Sequence, residues 1–174
     1  MKQHWLTLVL QTALVGITLP TQAARLTPVD SRLAPDLFVW TDTCNVWVLR
    51  DGDAALLIDL GDGSVLDHLD DIGVKRVEWV LFTHHHREQC QGASRLVGRG
   101  AKVAAPDAER ALFERPTDFR QMNVSLGDAF TIHGSSYVRP PIQPIPLDRA
   151  FKTNDTFAWR SHELVVTAQV LFTG

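Results

Sequence analysis

Val80-Leu81-Phe82-Thr83-His84-His85-His86-Arg87-Glu88-Gln89, with Gly92 shortly after, is the stretch that decides how the rest of the chain is read. The run from Val77 to Phe82 is mostly apolar and of strand length, as a strand buried on both faces is. At Thr83 it turns abruptly polar. Side chains alternate direction along an extended segment, so His84 and His86 are expected to project to one side while His85 faces away. Two imidazoles converging at the end of a buried strand suit Zn²⁺, because neutral ring nitrogen is a good donor to it and a rigid strand end fixes the bite. Glu88 and Gln89, in the turn that follows, can offer a carboxylate and an amide oxygen to the same cavity. The carboxyl end of a strand is also where ligand sites form in open α/β sheets. A solvated loop, or an adventitious metal-binding tract, would have the same composition. The surrounding sequence has to separate these readings.

Upstream, Val46-Trp47-Val48-Leu49 and Ala54-Ala55-Leu56-Leu57-Ile58 flank Arg50-Asp51-Gly52-Asp53, which predicts a β-hairpin around an Asp-Gly turn. The second strand runs into the glycine-rich acidic loop Asp59-Leu60-Gly61-Asp62-Gly63. Ser64 and Asp67 then make a weak capping box for a helix that shows Val65, Leu66, Leu69 and Ile72 on one face and stops at Gly73. Downstream, the pattern predicts a short helix over 93–97, a strand over 102–105 and a helix over 107–114. Pro140, Pro141, Pro144 and Pro146 make 133–146 a loop. Phe157-Ala158-Trp159 and Leu164-Val165-Val166 read as a closing hairpin, and residues 170–174 as the start of one more strand. The lead-in from Arg25 to Pro35 is expected to be irregular, since Pro28 and Pro35 disfavour regular structure. At 174 residues the chain can bury one sizeable core, and strands alternating with helices indicate a layered α/β domain.

Taken in order, Asn45-Val46-Trp47-Val48-Leu49, Leu57-Ile58-Asp59-Leu60-Gly61 and the Val80–Gln89 stretch with Gly92 resemble the metallo-β-lactamase superfamily. In that family a strand hairpin ends in Asp-x-Gly, and a later strand ends in Thr-His-x-His-x-Asp-His followed by glycine. The likeness spans roughly Phe38 to Glu114, and Lys102-Val103-Ala104-Ala105-Pro106 resembles the family's next strand. It implies a partial metallo-β-lactamase-like αββα sandwich, a mixed sheet with covering helices, with the C-terminal half missing. It also implies zinc-dependent hydrolysis of a small-molecule substrate: a thioester, lactam, lactone or phosphoester. The resemblance makes His84 and His86 the first two ligands of one metal ion. Glu88 stands where the family has an aspartate that binds a second metal and moves a proton. Gln89 stands where it has a second-metal histidine. Asp59 matches a structural acid beside the metal-binding loop, although a turn-capping carboxylate would serve the sequence equally well.

The departures from the pattern bear on activity. Glu for Asp moves the carboxylate by about 1.5 Å, and Gln for His exchanges a nitrogen donor for an amide oxygen that ligates Zn²⁺ poorly. The family's third histidine of the first metal comes from a Pro-Gly-His-Thr-like turn. Here Thr167-Ala168-Gln169 passes directly into Val170-Leu171-Phe172-Thr173-Gly174 with no such turn. An intact homologue would hold one or two zinc ions; this chain is expected to hold one weakly or none, and to be an impaired hydrolase. His162 and His133 are weaker substitutes for the missing ligand, as isolated histidines are usually surface residues. The rival reading is a non-catalytic remnant or metal-binding protein of the same fold, since catalytic zinc sites generally need three protein ligands.

Residues 1–24 differ from the rest. Lys2 is the one formally charged side chain before Arg25, Trp5 to Leu19 is largely apolar, and Ala23 and Ala24 follow Pro20. That is the pattern of a secretory signal peptide, with 25–174 as the truncated domain behind it. The apolar run falls short of the roughly 20 residues a spanning helix needs, so no stable membrane span is expected after cleavage. The expected location is therefore periplasmic or extracellular. There Cys44 and Cys90 could be bridged or could remain two buried thiols. A net charge of -3 gives no nucleic-acid footprint.

Overall fold

The structure is a computed structural model and describes residues 25–119 and 139–166. The expected signal peptide, His133 and the expected strand over 170–174 lie outside the described residues. The element order is β1 (Thr27–Asp30), β2 (Ala34–Thr41), β3 (Asn45–Asp51), β4 (Ala54–Ile58), β5 (Arg76–Leu81), α1 (Arg87–Cys90), β6 (Lys102–Pro106), α2 (Arg110–Glu114), β7 (Arg149–Phe151), β8 (Thr156–Trp159) and β9 (His162–Val165). Strands β1 to β7 form one sheet in chain order, while β8 and β9 form a separate two-stranded sheet. Pairing is antiparallel from β1 to β4 and parallel from β4 to β7.

The expected hairpin forms as β3 and β4, closed by Asp51 opposite Ala54 with Gly52 at φ +64°. The Arg25–Pro35 segment is a correction, because it contains β1 and the first residues of β2. Proline is tolerated at both places for one reason. Pro28 lies on the edge strand, and Pro35 precedes Leu37, where pairing with β3 begins, so neither removes an interior ladder bond.

The helix expected from Ser64 is a second correction. The segment makes two 3₁₀ turns, Ser64–Asp67 and Leu69–Ile72, interrupted at His68. The His68 ring stacks on Trp40 with centroids 4.6 Å apart, and its Nδ1 lies 3.2 Å from Asp71 Oδ2. The capping box does not form. The Ser64 hydroxyl instead accepts the Trp40 indole N–H at 3.1 Å and donates to Asp42 Oδ2 at 3.2 Å, while Asp67 receives Arg95 at 2.6 Å. Gly73, left-handed at φ +81°, ends the segment as expected. The short helix expected over 93–97 is likewise a 3₁₀ segment, Gln91–Leu96.

The large sheet therefore separates two apolar layers. One face carries Val46, Val48, Leu57, Val80 and Phe82 beneath the helical turns that supply Val65, Leu69, Leu96 and Phe113. The other face carries Leu56, Leu81, Ala104 and Phe151 beneath Phe157 and Trp159 of the β8–β9 hairpin. That hairpin is pinned by Glu78, which accepts the Trp159 indole N–H at 2.9 Å and pairs with Arg160. Among the described residues no helix is long and apolar enough to cross a membrane.

Candidate metal centre

Strands β4, β5 and β6 run parallel, so their carboxyl ends lie at one edge of the sheet. Asp59 follows β4, Thr83 to His86 follow β5, and Glu109 follows β6. Three backbone hydrogen bonds fix this edge: Asp59 N–H to Leu81 O at 2.9 Å, Phe82 N–H to Ala104 O at 2.8 Å, and Leu60 N–H to Gln89 O at 2.8 Å.

Asp59 is the buried carboxylate at this edge, 6% exposed and left-handed at φ +60°. Its Oδ1 accepts the Thr83 backbone N–H at 2.8 Å, and Oδ2 accepts the Thr83 hydroxyl at 2.8 Å. Burial outweighs these bonds and pushes the Asp59 carboxyl up to about 6. Ionised Asp59 takes the single hydroxyl proton of Thr83. Thr83 Oγ1, 3.0 Å from His84 Nδ1, must then accept a proton from that ring nitrogen. The resulting tautomer leaves Nε2 of His84 bare, the form that ligates a metal. Burial, followed by the neighbouring His86, also holds His84 below the ordinary imidazole range, which favours the neutral ring.

The structure brings His84 and His86 together, their ring centroids 4.6 Å apart at 71°. Glu88 Oε1 lies 3.7 Å from His86 Nδ1. Gln89 lies at the same edge, with its side-chain oxygen buried and without a hydrogen-bond partner among the described residues. His86 caps the first turn of α1 with an extended backbone, and its carbonyl accepts the Cys90 thiol at 3.3 Å. Cys44 and Cys90 are free thiols, and burial pushes each up to about 12. His162, the weaker substitute for the missing ligand, lies elsewhere. It stacks on Trp159 and lies 3.7 Å from Asp51, at the hairpin end of β4 and away from His84, so it supplies no ligand here.

Glu109 gave no signal in the sequence. Its carboxylate accepts the His85 backbone N–H at 2.7 Å, and the same oxygen, Oε2, sits 3.1 Å from His85 Nδ1. The ring contact lacks hydrogen-bond alignment, since both His85 ring nitrogens are buried without a hydrogen-bond partner among the described residues; the backbone bond is the firmer of the two. Burial pushes the Glu109 carboxyl up, but its contacts with His85 outweigh that and hold it below the ordinary range.

The donor chemistry fits one zinc ion held by His84 and His86. It does not fit a closed site, because among the described residues no three or more His, Cys, Asp or Glu side chains are grouped to hold a metal ion.

Glycine closes the floor of the site. A Cβ on Gly92 would lie 2.6 Å from Gly63 Cα, and the Gly92 N–H donates to Gly61 O at 2.9 Å. Only glycine lets the segment after α1 lie this close to the Asp59–Gly63 loop.

A family model described as the metallo-beta-lactamase superfamily matches residues 39–169. A hydroxyacylglutathione hydrolase of Stenotrophomonas maltophilia (strain R551-3) is 41% identical over 68 residues, 37% of this chain and 26% of that protein. BJP-1, a subclass B3 metallo-β-lactamase of Bradyrhizobium japonicum, superposes with a TM-score of 0.57 at 20% identity, covering 75% of this chain and 47% of that one. The class B3 di-zinc metallo-β-lactamase LRA-12 from an Alaskan soil metagenome gives 0.58 at 20% identity, covering 81% of this chain and 50% of that one. The chain spans about half the length of these solved structures, and its match covers about a quarter of the curated relative.

Proposed function

The chain belongs to the metallo-β-lactamase superfamily, and on that premise we propose that it is an exported zinc-dependent hydrolase domain acting on a small-molecule thioester. The observation that carries this reading is the pair of rings, His84 and His86, set 4.6 Å apart beyond the carboxyl end of β5. Asp59 acts through Thr83 to present His84 with Nε2 free. When bound, zinc supplies a Lewis acid that polarises the scissile carbonyl and acidifies water. The protein's own groups do the rest. His84 and His86 hold and orient the ion, Gln89 lends an amide oxygen to the wall, and the half-exposed Glu88 carboxylate either adds an oxygen ligand or carries a proton at Oε1. A thioester is preferred over a lactam because the curated relative, a hydroxyacylglutathione hydrolase, shares 41% identity over its matched segment, whereas the lactamase structures share the fold at 20%. Export rests on the signal-like residues 1–24, with 25–174 as the domain delivered to the periplasm or exterior.

The second reading, metal binding without turnover, is favoured by the lack of a third grouped ligand among the described residues. Hydrolysis of a hydroxyacyl-glutathione thioester and of a lactam, each with added zinc and with chelator, separates the two. The proposal expects thioester cleavage that rises with zinc, falls to background with chelator, and exceeds lactam cleavage. Zinc uptake with neither substrate cleaved would leave the binding reading in its place.

A further inference from the structure

We propose that Glu109 is a positioning residue for the metal centre: it clamps the His85 backbone and so fixes the spacing of the His84 and His86 rings. This deepens the zinc-binding reading above and rests on it. Residues 83–86 have left the sheet, so the strand ladder no longer holds them, and β5 pairing ends at Leu81. Asp59 fixes one end of this free segment at Thr83. The other end is fixed at His86, where α1 begins. Between them, the His85 N–H donates to the Glu109 carboxylate at 2.7 Å and has no backbone acceptor among the described residues. Both side chains are 13% exposed, so water competes little for that bond.

The clamp also acts through the ring. The His85 imidazole packs 4.9 Å from His86 and 6.4 Å from His84, centroid to centroid, with Glu109 behind it. His85 thus works as a wedge, and Glu109 sets how deep the wedge sits. Glu109 arrives from the turn after β6, so the third parallel strand is tied to the geometry of a site formed mainly after the second. Among the described residues, neither Glu109 nor His85 belongs to a group of three or more His, Cys, Asp or Glu side chains that could hold a metal ion. Their effect on the metal is through position.

The test is zinc affinity of the full chain, measured by competition with a chelating dye, in the native form, Glu109→Ala, Glu109→Gln and His84→Ala/His86→Ala. Apo-state melting and amide exchange at His85 are measured alongside. Glutamine keeps an oxygen to accept the His85 N–H but carries no charge. The proposal expects Glu109→Ala to lose about tenfold or more in zinc affinity and Glu109→Gln to stay within about threefold of native, with the His85 amide protected in native and glutamine chains only. Equal losses in both Glu109 variants would mean that the carboxylate acts by its charge, and no loss in either would mean that it does not act on the site; both overturn the proposal. If Glu109→Ala does not fold, Glu109→Gln and the His85 amide still decide: rapid exchange of that amide in the native chain overturns the clamp. Failure of the zinc-binding reading looks different, since the native chain would then bind no more tightly than His84→Ala/His86→Ala.

Discussion

His84→Ala/His86→Ala is expected to weaken zinc binding at least a hundredfold and to bring thioester hydrolysis to background, while leaving the apo fold nearly intact. Removing both imidazoles leaves, among the described residues of the proposed centre, Glu88 and Gln89 as donors. A lone carboxylate and an amide oxygen hold Zn²⁺ poorly against water. The fold has little at stake in the two rings. Neither belongs to the buried core, and His86 caps α1 without a side-chain hydrogen bond. The stability cost should stay within about 1 kcal/mol, as for changes away from packed features. Equilibrium dialysis against zinc and a urea melt of the metal-free chain measure both halves. Retained zinc in the double variant, or collapse of the apo fold, would show that the rings serve something other than a metal.

Asp59→Asn is expected to stabilise the metal-free fold yet weaken the metal site. The Asp59 carboxyl titrates near 6 in the fold against about 3.9 in an unfolded chain, with burial as the main cause. The folded state therefore binds more protons than the unfolded state between about pH 4 and pH 6. Native stability falls as pH rises through that window and reaches its full deficit above pH 6, a loss of roughly 2–3 kcal/mol. Asparagine cannot ionise, keeps an oxygen for the Thr83 N–H, and offers an N–H to the Thr83 hydroxyl oxygen. The variant should be more stable than native at pH 7 by about that amount, with a flat profile from pH 4 to pH 7. The same exchange frees the Thr83 hydroxyl proton to point at His84 Nδ1, which moves the ring proton to Nε2 and blocks that nitrogen. Zinc affinity should then fall by about tenfold. Denaturation midpoints from pH 4 to pH 8, paired with zinc titration at pH 7, test both. A variant that is less stable at pH 7, or that binds zinc as native does, would remove Asp59 from this role.

Much of the centre could be read from local sequence because local sequence builds it. The Asp-Gly turn and the apolar run into Thr83 each follow from neighbouring residues, and the hairpin and β5 form where those patterns lie. The strand-like alternation expected of the histidines does not carry over, since the strand ends at Leu81 and the His85 ring packs 4.9 Å from His86. What escaped depends on distant partners. The Ser64 cap was lost to Trp40 and Asp42, 24 and 22 residues upstream, whose claims on one hydroxyl have no mark in the Ser64–Asp67 pattern. The segment breaks into two 3₁₀ turns at His68, the residue whose ring stacks on Trp40. Glu109 lies 24 residues beyond His85 in an ordinary helical stretch, and becomes visible once β5 and β6 are known to run parallel. Proline misled at Pro28 and Pro35 because tolerance depends on which strand edge faces a neighbour, and that is a property of the sheet.

X-ray absorption at the zinc edge of the full chain loaded with one equivalent of zinc reads the ligand set of the proposed centre. The His84–His86 pair predicts a shell of nitrogen and oxygen donors with the outer-shell scattering of two imidazoles, absent in His84→Ala/His86→Ala. Sulfur in the shell would place the ion on Cys44 or Cys90, and a shell of oxygen alone would place it on surface carboxylates or water. Either result would contradict a two-imidazole centre at the end of β5.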